Sequence, residues 1–158
     1  MKANDKTNVM RVLDQKKIQY EAHAYEPDAT MTGEEIAAIL GEVPEHVFKT
    51  LVTQGKTNTY YVFVIPVKEE LDLKKAALAV GEKSVEMLKQ KDLFGLTGYV
   101  HGGCSPLGMK KVFTTVIDIS AKDQPIIIFS AGKIGYQIET TLVDLSKVLK
   151  YSLSQITL

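Results

Sequence analysis

The 158-residue sequence contains no tryptophan, three histidines and a single cysteine, Cys104. One cysteine excludes an intramolecular disulfide and suits a reducing compartment, so a cytoplasmic location is expected. Three histidines without close spacing, beside one cysteine, make no zinc-binding pattern, and neither a metal nor another cofactor is expected. Neither sign of charge is in excess: 19 Lys and Arg stand against 19 Asp and Glu. Proteins that grip nucleic acid unaided carry a basic surplus. Any contact with a polyanion must therefore be local, or shared with a partner. No apolar run approaches the roughly 20 residues that span a bilayer, and no apolar stretch follows the first six residues as a secretory leader would require. The P-loop, GxGxxG, HExxH and GxSxG patterns are all missing, which removes most nucleotide-, metal- and triad-dependent classes.

What is present describes an ordinary globular protein, 45% hydrophobic and long enough to bury one core. A single domain over residues 1–158 is expected, with no repeat, linker or low-complexity tract. Helical spacing of Val9, Val12 and Leu13 predicts a helix over 8–16. Residues 18–25 read as a strand, and Glu26-Pro27-Asp28 as a turn. Thr32 and Glu35 form a capping-box pair before a helix over 36–40, which Gly41 stops. Two β-rich runs, 46–53 and 59–67, flank a polar loop and predict a hairpin. Further helices are expected over 73–80, over 85–91 with Ser84 as cap, and from Thr141 through Lys150. Strands are expected over 112–119, 125–130 and 136–140. The fold class is α+β: about six strands in a mixed sheet, surrounded by helices.

Four of the eleven glycines lie in residues 97–111. Glycine permits positive φ and close approach of backbone to a ligand, while Pro106 pushes Ser105 toward an extended conformation. The result is a stiff, shaped loop carrying N–H groups, a hydroxyl and two lysines, either a structural connection or a cradle for an anionic or carbonyl-bearing ligand. Lys49 lies inside an apolar strand, with Val47 and Leu51 expected on its face. Such a lysine either snorkels at the strand end or aims its ammonium into a pocket. Ser130-Ala131-Gly132-Lys133 directly follows a buried strand, as a plain turn or a binding loop. Cys104 and His101 invite a thiol-hydrolase reading, but residues three apart in a glycine loop, without an orienting carboxylate, are a poor catalytic pair.

Phe48-Lys49-Thr50-Leu51, Thr97-Gly98-Tyr99, Gly102-Gly103, Ser105-Pro106-Leu107-Gly108, Lys110-Lys111 and Ser130-Ala131-Gly132-Lys133, in this order and spacing, resemble the YbaK/EbsC family. These are free-standing relatives of the editing domain of bacterial prolyl-tRNA synthetase. The resemblance covers essentially the whole chain. It implies a mixed, partly closed sheet ringed by helices, and removal of a wrongly attached amino acid from tRNA, in the branch that deacylates cysteinyl-tRNA(Pro). It places the essential lysine on Lys49, the glycine pair on Gly102 and Gly103, with the ester expected beside Gly103, the pocket serine on Ser130 and the pocket tyrosine on Tyr25. Thr32, Thr50, Ser105, Gly132 and Gln137 complete the expected substrate contacts; Gln137 stands where the family often has Asp. The implied partners are the aminoacyl-tRNA acceptor end and, transiently, prolyl-tRNA synthetase, with no membrane. A deacylase for another small residue such as alanine, or a non-catalytic module that binds tRNA or a synthetase, stays open.

Overall fold

The computed structural model describes residues 6–27 and 30–158; Asp28 of the expected 26–28 turn lies outside them. The chain opens with α1 (Asn8–Gln15), capped by the Thr7 hydroxyl, which accepts from Met10 N–H. Its Val9, Met10 and Leu13 are fully buried, as their spacing requires. β1 (Glu21–Ala24) is shorter than the expected strand. α2 (Gly33–Leu40) has the full Thr32–Glu35 capping box and ends at Gly41, whose φ of +68° is the left-handed cap that glycine adopts without strain.

β2 (Phe48–Gly55) and β3 (Tyr60–Pro66) make the expected antiparallel hairpin. α3 (Leu73–Val80) follows, capped by Asp72. The expected helix over 85–91 is not formed. Its first residues are β4 (Val85–Met87), paired antiparallel with the far end of β2. Lys56 N–H donates to Ser84 O, and Leu88 N–H to Val52 O. Tertiary pairing with a free strand edge outweighs a weak local helix preference, and the helix starts later, as α4 (Gln90–Thr97).

β5 (Thr114–Asp118), β6 (Ile127–Ser130) and β7 (Tyr136–Thr140) lie where the sequence puts them. α5 (Leu142–Leu145) does not run to Lys150. After it Lys147 and Val148 N–H donate three residues back, to Asp144 and Leu145 O. The chain thereby tightens and turns toward β8 (Ser152–Ser154).

Among the described residues there are eight strands rather than about six, because β4 and β8 are only three residues each. They form two sheets: antiparallel β1-β7-β6, and mixed β4-β2-β3-β5-β8, in which β3, β5 and β8 run parallel. A single parallel bridge, Val47 to Ile128, joins the sheets at the start of β2. The main core, between the sheets and under α1, includes Phe48, Val52, Ile117, Phe129 and Ile138. A second cluster packs α3 on Phe63 and Ile65, and a third gathers Ala37, Val47, Val67 and Ile128 at the seam. β6 is buried on both faces, as its apolar run predicts.

Candidate functional site

Beside the seam is a cavity of about 670 Å³. One wall is β2, from Phe48 to Val52. The amino end of α2 supplies Thr32, Gly33 and Ile36. Tyr25, Ser130, Tyr136 and Gln137 come from the three-stranded sheet and its connections. Gln90 and Leu93 of α4, with His101, Gly102 and Cys104 of the glycine loop, close the remaining side. A groove of about 750 Å³ elsewhere is more open and is lined by Asp14, Glu21, Glu139 and Asp144, an acidic surface unsuited to a polyanion.

The cavity thus brings together seven expected site residues: Tyr25, Thr32, Lys49, Thr50, Gly102, Ser130 and Gln137. Gly103, Ser105 and Gly132 are not among its lining residues. Ser105 is wholly buried, and its hydroxyl oxygen faces the Leu107 N–H. A Cβ on Gly103 would meet the Ile134 backbone nitrogen at 3.0 Å, and the Gly103 N–H already donates to Val100 O. A Cβ on Gly132, at φ +90°, would come within 2.9 Å of Tyr99 and 3.0 Å of Val9. Gly103 and Gly132 thus let the two loops pack tightly, with backbone of the 130–135 loop on the Cβ side of Gly103.

Each lining residue has a definite setting. Lys49 pairs with Ile65 across the hairpin, and its ammonium lies 3.9 Å from the exposed Glu70 carboxylate. Such an exposed pair is weak and leaves the cation exchangeable. Of its neighbours, Leu51 packs on the second cluster and Val47 in the third. The Thr50 hydroxyl is buried and has no hydrogen-bond partner among the described residues. Thr32 spends its hydroxyl on the α2 cap. Ser130 Oγ accepts from Gly132 N–H at 3.1 Å, leaving its own O–H to donate. Lys133 rests its ammonium 5.3 Å from the Tyr136 ring centre.

Gln137 has a partner that the sequence does not announce. In the amide orientation that satisfies its neighbours, its nitrogen donates to Glu42 at 2.6 and 3.2 Å. Burial raises the Glu42 carboxyl above its ordinary range, against the opposing pull of His23 and of the Gln137 bond. Cys104 lines the cavity as a neutral thiol, pushed up to about 12 by burial. Glu21, His23 and Glu139 are a possible cation-binding group, but the bond from His23 to Glu139 already pairs two of the three.

The model of a family described as an aminoacyl-tRNA editing domain matches residues 27–148. EbsC of Enterococcus faecalis, which bears the name of a Cys-tRNA(Pro)/Cys-tRNA(Cys) deacylase, is 48% identical over 139 residues, covering 87% of this chain and 85% of its own. A solved structure described as a trans-editing enzyme for prolyl-tRNA synthetase superposes with a TM-score of 0.80 over 96% of this chain and 98% of its own, at 21% identity. A hypothetical protein, APE2540, superposes with a TM-score of 0.87 over 96% and 100%, at 20% identity. The two structures speak to the fold.

Proposed function

This chain belongs to the family of aminoacyl-tRNA editing domains, and from that premise we propose that it is a free-standing deacylase removing cysteine mistakenly attached to tRNA(Pro), and cysteine from tRNA(Cys). The observation that carries the site assignment is the convergence of seven expected site residues, Lys49 and Ser130 among them, on one cavity.

An aminoacyl ester is already reactive, so the protein must chiefly hold the terminal adenosine and stabilise charge growing on the carbonyl oxygen. Lys49 and the Gly102 N–H supply positive potential, and Ser130 supplies a hydroxyl donor, with Thr50 in the wall. Tyr25, Thr32 and Gln137 shape the walls. Cys104, held neutral, is not a nucleophile. The substrate's own thiol supplies that function. Its sulfur bonds to the carbonyl carbon, the bond to the ribose oxygen breaks, and the thiol proton passes to that oxygen, leaving a thiolactone and free tRNA. Amino acids lacking a thiol are spared.

The balance of 19 basic and 19 acidic residues supports a transient complex with prolyl-tRNA synthetase, which would supply tRNA identity. A lone reduced cysteine and a tRNA substrate support a cytoplasmic location. No described helix is long and apolar enough to cross a membrane.

A deacylation screen of Cys-tRNA(Pro), Cys-tRNA(Cys), Ala-tRNA(Pro) and Pro-tRNA(Pro) tests the reading. Release of cysteine alone is expected. Preferential release of alanine would replace the thiol route by hydrolysis, and release of nothing would leave a binding module.

A further inference from the structure

Next to a residue of the cavity wall, α4 carries an aromatic side chain that belongs to no core cluster. On α4, Leu93 is buried and faces the cavity, whereas its neighbour Phe94 leaves 58% of its surface exposed. The Lys110 ammonium lies over the Phe94 ring, 5.2 Å from its centre, within cation–π range. Lys110 forms no ion pair among the described residues. Its N–H donates to Thr97 O, and its stem runs across Gly98, where a Cβ would approach its Cγ to 3.3 Å. The chain therefore lays a free cation on an exposed aromatic face and keeps the approach clear with a glycine.

The surroundings say what such a surface fits. Residues 89–112 contain four lysines, Lys89, Lys91, Lys110 and Lys111, against one carboxylate, Asp92. All four are exposed. In a chain of zero formal charge, this segment alone carries a surplus of three, and the same segment lines the cavity through Gln90, Leu93, His101 and Gly102. An exposed ring under a lysine, in a lysine-rich segment that also lines the candidate site, matches the stacking-and-funnel arrangement that holds single-stranded nucleic acid. The apolar side chains more exposed than Phe94, namely Val112, Leu78, Leu158, Val143 and Ile39, are aliphatic and offer no π-face.

We propose that Phe94, with Lys110, is the stacking platform for an unpaired base upstream of the terminal nucleotide of the substrate RNA. The ring takes the base, and the displaced ammonium meets its phosphate. This rests on the deacylase reading, because that reading puts the ester in the cavity and the preceding nucleotides at its mouth.

The test compares two substrates, cysteinyl-adenosine and a cysteinylated RNA minihelix with an unpaired 3′ end, on wild-type, Phe94→Ala and Phe94→Trp protein. Phe94→Ala is expected to raise KM for the minihelix by about 5- to 150-fold, the range of one stacked base, with kcat unchanged. Turnover of cysteinyl-adenosine is expected to stay at the wild-type level, and Phe94→Trp to restore the minihelix KM. In parallel, 2-aminopurine in the unpaired end of uncharged minihelix should be quenched by wild-type and Trp proteins and not by the Ala protein. Equal losses on both substrates, no loss on either, or a loss seen only after prolyl-tRNA synthetase is added would overturn the platform. Wild-type protein that cleaves neither ester, yet quenches 2-aminopurine in a Phe94-dependent way, would overturn the deacylase reading and leave the platform standing.

Discussion

The Gln137 amide donates to Glu42 from the wall of the cavity, so a carboxylate outside the lining residues fixes how an uncharged side chain faces that cavity. Gln137 is buried in β7, whereas Glu42 follows the α2 cap. The pair thus ties the three-stranded sheet to the helix that forms the opposite wall.

Glu42 titrates in a direction that can be checked. Burial raises its carboxyl in the folded protein, so the folded state binds more protons than the unfolded state between the two values. Its contribution to stability is present below the unfolded value and is lost as pH rises through the folded one. Glu42→Gln is expected to flatten this dependence. The melting temperature of the variant relative to wild type should rise as pH increases above the ordinary carboxylate range. A constant difference over that rise in pH would mean that Glu42 titrates normally.

Lys49→Ala and Thr50→Val should separate chemistry from folding. Loss of Lys49 removes a charge-assisted contact to the transition state, worth roughly 2–4 kcal/mol, or about a hundred-fold or more in rate. The melting temperature should hardly change, because its Glu70 partner is exposed. Thr50→Val removes a hydroxyl that no protein group satisfies. Stability should hold or rise by about 1 kcal/mol, with turnover close to wild type, because the hydroxyl is closed off from the cavity. Near-normal turnover by folded Lys49→Ala protein would remove the central assignment.

Cys104→Ser should remain active. The buried thiol, at about 12, stays protonated and unreactive. Native wild-type protein should accordingly resist iodoacetamide near neutral pH and be alkylated rapidly in denaturant. Fast alkylation of the folded form, together with an inactive Cys104→Ser variant, would restore the thiol as nucleophile.

Gly103→Ala should act on stability first. The added methyl meets the Ile134 backbone nitrogen at 3.0 Å, and overpacking of this kind costs about 1–3 kcal/mol. Gly132→Ala should cost more, since it adds a positive φ to contacts with Tyr99 and Val9. Urea denaturation measures both. An unchanged midpoint for Gly103→Ala with a raised KM would return Gly103 to the site.

The legible parts of the sequence were those in which local chemistry and tertiary role agree. The Thr32–Glu35 box, the glycine stop at Gly41, the β2–β3 hairpin and the doubly buried β6 each carry their own signal. The 85–91 segment reads locally as a helix, because only the free edge of β2, distant in sequence, makes Val85–Met87 a strand. The sequence after Leu145 reads as helix because nothing local shows that the chain must tighten toward β8. In the cavity, an apolar strand setting marks Lys49 and a place just after a buried strand marks Ser130, whereas Thr50 and Gln137 follow only from the family resemblance. Glu42 carried no signal, since its partner lies 95 positions away in the numbering. For Gly103 and Gly132, a glycine that faces a ligand and one that faces another loop look alike in sequence.

The seam at Val47 and Ile128 has a consequence for the order of events in synthesis. The cavity draws on Tyr25 near the start of the chain, Lys49 and Gly102 in the middle, and Ser130 and Gln137 toward the end, and its two sheets pack face to face with one backbone bridge between them among the described residues. No early-folding fragment contains a usable share of these walls, because closing such long loops comes late in folding. Catalytic competence is therefore the last property a nascent chain acquires, and recovery of turnover after denaturation should track final assembly of the molecule rather than the first appearance of its helices and hairpin.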